Sequence, residues 1–191
     1  MAWIRLVTVL FVCALFTGCS TLERFRHSSS DAVDAEFEIS GRLAVKFNEQ
    51  GSSAKIKWVH RNEVDTVDVL TPVGSIIAVI LVSPRSGAVL ETPDKIYEAT
   101  SAEALTREVL GWSFPLEGLK YWARGLIDPK SRIARISPRD EQGRLTYLEQ
   151  SGWKITYEKY QENSALPRVM RLSYDDLKLK FVVDTWSRID S

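Results

Sequence analysis

From Phe37 to Phe47 the chain alternates: Phe37, Ile39, Gly41, Leu43, Val45 and Phe47 fall on one side, and Glu38, Ser40, Arg42, Ala44 and Lys46 on the other. Successive strand side chains point to opposite faces, so this stretch predicts a strand wetted on one face. The run Asn48-Glu49-Gln50-Gly51-Ser52 is turn chemistry. Alternation then resumes through Ala54-Lys55-Ile56-Lys57-Trp58, with Ile56 and Trp58 inward. Arg61-Asn62-Glu63 turns the chain into Val67 to Val82, VDVLTPVGSIIAVILV. This stretch reads as two strands joined by Thr71-Pro72-Val73-Gly74-Ser75. Pro72 presets one turn angle and Gly74 supplies a positive φ without steric cost, which places apolar Val73 at the tip. Ile76 to Val82 is apolar without a break. Such a run predicts that both faces are kept from water, either as a central strand covered by protein or with one face or the tip against lipid. It is too short to cross a bilayer as a helix, which takes about 18 or more residues.

Pro84-Arg85-Ser86-Gly87 makes the next turn, and Ala88–Glu91 and Lys95–Tyr97 read as short strands. The period then switches. Thr100 with Glu103 fits a capping box, Ala102, Leu105 and Val109 share a helical face, and Gly111 suits the position just past the end. After Trp112-Ser113-Phe114, Pro115 opens a second helix whose face carries Leu116, Leu119, Trp122 and Ala123, with Gly125 to end it. Strands return at 132–137, 145–149, 153–157, 169–174 and 177–183, with Asp175-Asp176 as a tight turn. Ten or eleven strands at hairpin spacing, with two helices in the middle, predict a mainly β fold. The architecture expected is a strongly curved antiparallel sheet, closed or nearly so, with helices packed in its concave side.

The first nineteen residues read differently. One positive charge at Arg5 precedes an apolar stretch from Leu6 to Phe16, and Thr17-Gly18-Cys19 follows. This is the layout of an exported leader, and the Cys after small residues resembles a lipobox, with Phe16 where leucine is usual. The resemblance implies cleavage before Cys19, with a diacylglycerol on its sulfur and an N-palmitoyl chain on its new amino group. Residues 1–18 are then a lipoprotein signal peptide, 19–35 a lipidated, polar tether, and 36–191 the folded domain. Ser20, in place of an aspartate, implies sorting to the outer membrane by analogy. Of the two cysteines, Cys13 leaves with the leader, so no disulfide or cysteine metal site forms within one mature chain.

Charge narrows the function. Lys and Arg total 25 and Asp and Glu total 25, so there is no electrostatic footprint for nucleic acid. The phosphate loop G-x-x-x-x-G-K-[ST] is absent, as are G-x-S-x-G, H-E-x-x-H and S-x-x-K. His27 falls in the tether and His60 reads as a rim residue beside Trp58. No catalytic group, metal or cofactor is implied. Trp58, Trp112, Trp122, Trp153 and Trp186 are enough aromatics to fill a core. A curved sheet is either filled by its own side chains or left open for an apolar ligand, and the sequence leaves both open.

The chain is similar to the outer-membrane lipoprotein receptors of the LolB family. The similarity runs from about Phe37 to Trp186. It rests on Gly41-Arg42, Trp58, Thr71-Pro72-Val73-Gly74-Ser75, Leu110-Gly111, Phe114-Pro115-Leu116 with Leu119 and Trp122, Gly152-Trp153 with Tyr157, Pro167 and Trp186. No single piece is specific; their order behind a lipobox carries the resemblance. It implies an unclosed β-barrel of about 11 strands, with a lid of short α-helices over an apolar cavity. It also implies a protein that takes lipoproteins from a soluble, LolA-type periplasmic carrier and places them in the outer membrane. In that family the loop after the strand at Asp68-Val69-Leu70 carries an exposed leucine that enters the membrane. Val73 holds that position here, making Pro72, Val73, Gly74, Ile76 and Ile77 the expected membrane-inserting loop. Leu43, Val45, Ile56, Trp58, Leu105, Leu116, Leu119, Trp122 and Phe181 are the residues expected at the acyl cavity or its lid. The partners implied are the carrier, the cargo's acyl chains and outer-membrane lipid, with the receptor a monomer on the periplasmic face. Two other readings remain beside it: an assembly lipoprotein that binds a protein partner through a sheet edge over a packed interior, and a lipid-processing enzyme using His60.

Overall fold

The structure is a computed structural model that describes residues 36–189. The expected signal peptide and tether, with Cys19, lie outside the described residues. Eleven strands and two helices follow in order. The first group is β1 (Phe37–Phe47), β2 (Gln50–Arg61), β3 (Val64–Leu70), β4 (Ile76–Ser83), β5 (Gly87–Glu91) and β6 (Ile96–Ala99). Helices α1 (Ala102–Leu110) and α2 (Leu116–Trp122) come next. The second group is β7 (Ile133–Ile136), β8 (Tyr147–Gln150), β9 (Trp153–Tyr160), β10 (Pro167–Tyr174) and β11 (Leu177–Arg188).

All strands form one sheet in the order β6-β5-β4-β3-β2-β1-β11-β10-β9-β8-β7. Two meanders are sealed where the first strand pairs antiparallel with the last, Leu43 opposite Phe181 and Val45 opposite Leu179. The ends β6 and β7 do not pair with each other, so the curved sheet is an unclosed barrel. The β1–β11 seam needs Gly41: a Cβ there would stand 2.3 Å from the Val182 carbonyl oxygen. The ladder shifts register at Ser40/Gly41, and Arg42 grips the skipped residue Asp184 at 2.9 Å.

Antiparallel pairing brings the β1–β2, β3–β4, β8–β9 and β10–β11 turns to one end of the sheet. Toward the other end the interior is solid. Phe37 and Trp58 meet edge to face at 5.0 Å, and Trp186 lies against Phe37. Asp65, 2% exposed, accepts the Trp58 indole Nε1 proton at 2.7 Å. His60 Nδ1 lies 2.8 Å from the same oxygen. His60 is therefore a buried core residue and not the rim residue that its place beside Trp58 suggests; the carboxylate of Asp65 draws its ring inward.

Two further expectations change. Ile76–Val82 is not a strand covered on both faces. Its inward row, Ile80 and Val82, is buried, while Ile76 is 55% and Leu81 40% exposed. The helices pack on the inner side of the sheet, so the outer face of β4 stays open. The cap of α1 is Ser101, whose side chain accepts from the Ala104 N–H at 3.2 Å, and not Thr100. The left-handed Gly111 ends α1 as its sequence predicts.

Candidate functional site

An apolar groove of about 280 Å3 opens between β1–β4 and α1 with its following connector. Leu43, Val45 and Ile56 form its floor with Val67, Val69 and Ile80. Thr106 and Leu110 of α1 and Trp112 and Phe114 of the connector form the opposite wall. Room exists because the first half of β2 carries small side chains there. Ser52 faces Val45 and Ala54 faces Leu43 across the β1–β2 ladder, where a larger pair would fill the space. None of the fourteen lining residues ionises; the polar ones are Ser52, Ser53 and Thr106. The Thr106 hydroxyl is already engaged. It donates to the Ala102 carbonyl and accepts from the Phe114 N–H, both at 2.8 Å, and so staples the connector to α1. The surface left for a ligand is mostly hydrocarbon, with Ser52 and Ser53 as its other polar members.

The groove runs toward the β3–β4 turn. Val69 faces Ala78 and Leu70 faces Ile76, so Ile77 is left over as a bulge. A bulge bends the strand and re-aims its extra side chain, and Ile77 joins the groove lining. The turn beyond it is tightly closed: the Thr71 N–H donates to the Ser75 carbonyl and the Gly74 N–H to the Thr71 carbonyl, both at 2.9 Å. Gly74 has φ +97°. At this tip Pro72 and Gly74 are exposed, and Val73 is 89% exposed. Ile77, which lines the groove, is itself 45% exposed, and Ile76 beside it is also exposed.

Of the nine residues expected at the cavity or lid, Leu43, Val45 and Ile56 line the groove. Trp58, Leu105, Leu116, Leu119, Trp122 and Phe181 are each at most 1% exposed and belong to the solid interior. The groove thus lies beside α1 and the connector, not beneath α2. Trp112 and Phe114 were legible only as bulky connector residues. Val67 and Val69 could have been found by carrying strand alternation from Asp65 into β3.

These features have counterparts. The family description "Outer membrane lipoprotein LolB" matches residues 35–186. An outer-membrane lipoprotein LolB from Nitrosomonas europaea is 34% identical over 161 residues, spanning 82% of this chain and 75% of the relative. Its counterpart from Chromobacterium violaceum is 34% identical over 188 residues, spanning 96% of this chain and 99% of the relative. The fold is also that of a crystal structure of a LolA superfamily protein from Nitrosomonas europaea. That likeness has a TM-score of 0.51 at 8% identity, over 83% of this chain and 88% of that one. With an unclosed eleven-stranded barrel, an apolar groove and a match across nearly the whole described domain, this chain belongs to the LolB family of outer-membrane lipoproteins.

Proposed function

We propose that this protein is an outer-membrane lipoprotein receptor. It accepts lipoproteins from a soluble periplasmic carrier, shelters their acyl chains in the groove and releases them into the outer membrane. The single observation that carries this reading is an apolar groove whose lining reaches Ile77, on the same hairpin as the exposed apolar Ile76 and Val73. A hydrocarbon chain leaving the groove past Ile77 has exposed apolar side chains on that hairpin to follow toward the tip.

The physics requires such a path. Three acyl chains carry on the order of 45 methylenes, and at ~0.8 kcal/mol each their exposure to water costs roughly 35 kcal/mol. Free diffusion across an aqueous compartment is negligible at that cost, so the chains pass between shielded sites. Each acceptor must bind better than its donor, and no nucleotide is needed at the step if affinities fall in that order. The role is one of binding and delivery and uses no catalytic residue.

A groove of about 280 Å3 falls just below the usual range of ligand pockets, roughly 300–1,000 Å3. A triacylated load therefore needs a wider state. The wall that moves is α1 with its connector, which rests on β5 and β6 at the free edge of the sheet. The lipid on Cys19 holds the domain at the periplasmic face of the outer membrane, and the domain works as a monomer.

The test is a reconstituted handover. The protein, mixed with a carrier loaded with a triacylated lipoprotein and then with liposomes, should take up the cargo and pass it on. A protein that neither takes cargo from the carrier nor binds a fluorescent fatty acid would instead fit an assembly lipoprotein with a closed interior.

A further inference from the structure

The outer face of the barrel gathers its unpaired positive charge unevenly. On parts of that face cations meet carboxylates, Arg42 with Asp184 at 2.9 Å and Lys57 with Glu38 at 3.3 Å, although Arg42 also stands opposite Lys55 across β1–β2. Across β1, β11, β10 and β9 two successive rows do not. One row reads Ala44, Lys180, Arg171, Thr156, and the next reads Lys46, Lys178, Ser173, Lys154. Lys180 stands directly opposite Arg171, and Lys46 directly opposite Lys178. Like charges facing each other across a ladder destabilise a sheet, so these rows cost the fold something that packing does not require.

The small side chains Ala44, Ser173 and Thr156 lie between the long cationic ones. The result is a groove of about 500 Å3 lined by Lys46, Lys154, Arg171, Lys178 and Lys180 with no carboxylate in its lining. Arg171 is held by Glu158, and Lys46 is 3.8 Å from the exposed Glu49. Lys154, Lys178 and Lys180 have no ion-pair partner among the described residues. Glu149 faces Lys154 on β8 but outside the groove, and Glu49, Asp175 and Asp176 belong to the turns at the strand ends. For a chain with formal net charge 0, this is a local concentration of positive charge.

Its position is informative. Lys46 and Lys178 form the last pair of the β1–β11 ladder, one residue in from the β1–β2 and β10–β11 turns, and Lys154 is the second residue of β9. They share the end of the sheet that presents Val73. A membrane met by that hairpin therefore brings its headgroups toward these lysines.

We propose that this cationic groove docks anionic phospholipid headgroups and so sets the angle at which the hairpin meets the bilayer. The proposal rests on the receptor reading above. Each lysine held near an anionic surface strengthens association on the order of fivefold, so the three unpaired ones together give about a hundredfold.

The test uses the full, lipid-anchored chain in vesicles of phosphatidylethanolamine and phosphatidylcholine, with or without about one-third phosphatidylglycerol. Lysine acylation is followed by mass spectrometry. Lys154, Lys178 and Lys180 should be modified at least about tenfold more slowly in the anionic vesicles, and the protection should vanish in high salt. Lys159, exposed toward the other end of β9, should not change. In parallel, phosphatidylglycerol should speed cargo insertion by wild type but not by the triple variant Lys154→Gln, Lys178→Gln, Lys180→Gln. Equal modification in both vesicles overturns the proposal, as does protection of the three lysines by the carrier protein without anionic lipid. Failure of the wild type to insert cargo in any vesicle sinks the receptor reading instead, and the protection pattern still decides the docking site.

Discussion

The indole Nε1 of Trp122 donates to the side-chain oxygen of Gln150 at 2.9 Å, tying α2 to the last residue of β8. The same oxygen accepts the Asp128 N–H at 3.1 Å. The Gln150 amide nitrogen donates to the carbonyls of Asp128 at 2.8 Å and Ser131 at 3.0 Å. One fully buried amide thus satisfies four polar groups around the end of α2. Trp122 also packs against Trp153, with ring centres 6.3 Å apart. Helix α2 is fixed to the sheet by this clamp, whereas α1 forms the groove wall and leaves Leu110 49% exposed.

Gln150→Leu keeps the bulk and removes every one of those bonds. Stranding buried donors and acceptors costs about 1–3 kcal/mol each when no water reaches them. The variant should lose on the order of 3 kcal/mol of stability, read as a lower midpoint in urea followed by circular dichroism. Val109→Ala, on half-buried α1, should lose much less. Equal losses would mean that α2 is no better anchored than α1.

Val69→Trp should block acceptance. Val69 lines the groove from a half-buried position on β3, and an indole there projects toward the α1 wall. The fold should tolerate it, because the added bulk enters open space and tryptophan suits a strand. Affinity for a fluorescent fatty acid should fall at least about tenfold while the thermal midpoint changes little. Unchanged binding would place the acyl site elsewhere.

Val73→Glu separates the two halves of the transfer. The side chain is almost fully exposed, so stability and uptake of cargo should match wild type. Delivery to liposomes should drop steeply, because a carboxylate at the tip resists leaving water for hydrocarbon. Ile76→Glu, on the same hairpin but less exposed than Val73, should show a weaker defect. Normal delivery by both variants would remove the hairpin from the mechanism.

The sequence disclosed the strands well because their period is short and local. The alternation of β1 from Phe37 to Phe47 and the turn at Thr71–Ser75 needed no tertiary information. It disclosed the cavity poorly, for two physical reasons. Large apolar residues such as Trp58, Trp122 and Phe181 are the ones a core buries first, so choosing cavity residues by size selected the filled part of the interior. The open part comes from small residues, Ser52 and Ala54, which read as turn and strand background. The bulge that re-aims Ile77 depends on how β3 and β4 slip past each other between Leu70 and Ile76, and no local pattern records that. The cationic rows were equally hidden: Lys46, Lys154, Lys178 and Lys180 looked like ordinary solvated partners of apolar alternation until the register set them side by side.

The tyrosines of β9 predict an alkaline limit to stability. Burial pushes the Tyr160 hydroxyl up to about 12, and burial likewise raises Tyr157 far above the ordinary value of 10. The folded state therefore holds these protons where the unfolded chain has released them. Stability from this source is complete below about pH 10 and declines as pH rises toward 12 and beyond. The two hydroxyls differ at neutral pH. Tyr160 donates to the Leu145 carbonyl, whereas the buried Tyr157 hydroxyl has no hydrogen-bond partner among the described residues. Tyr160→Phe should then cost about 1 kcal/mol at neutral pH, and Tyr157→Phe should cost nothing or stabilise slightly. Both replacements should flatten the fall in urea midpoint on the alkaline side, since each removes a group that the unfolded state deprotonates first. A Tyr157→Phe variant that is less stable at neutral pH, with the same alkaline fall as wild type, would show that its hydroxyl is bonded and that its burial does not set the limit.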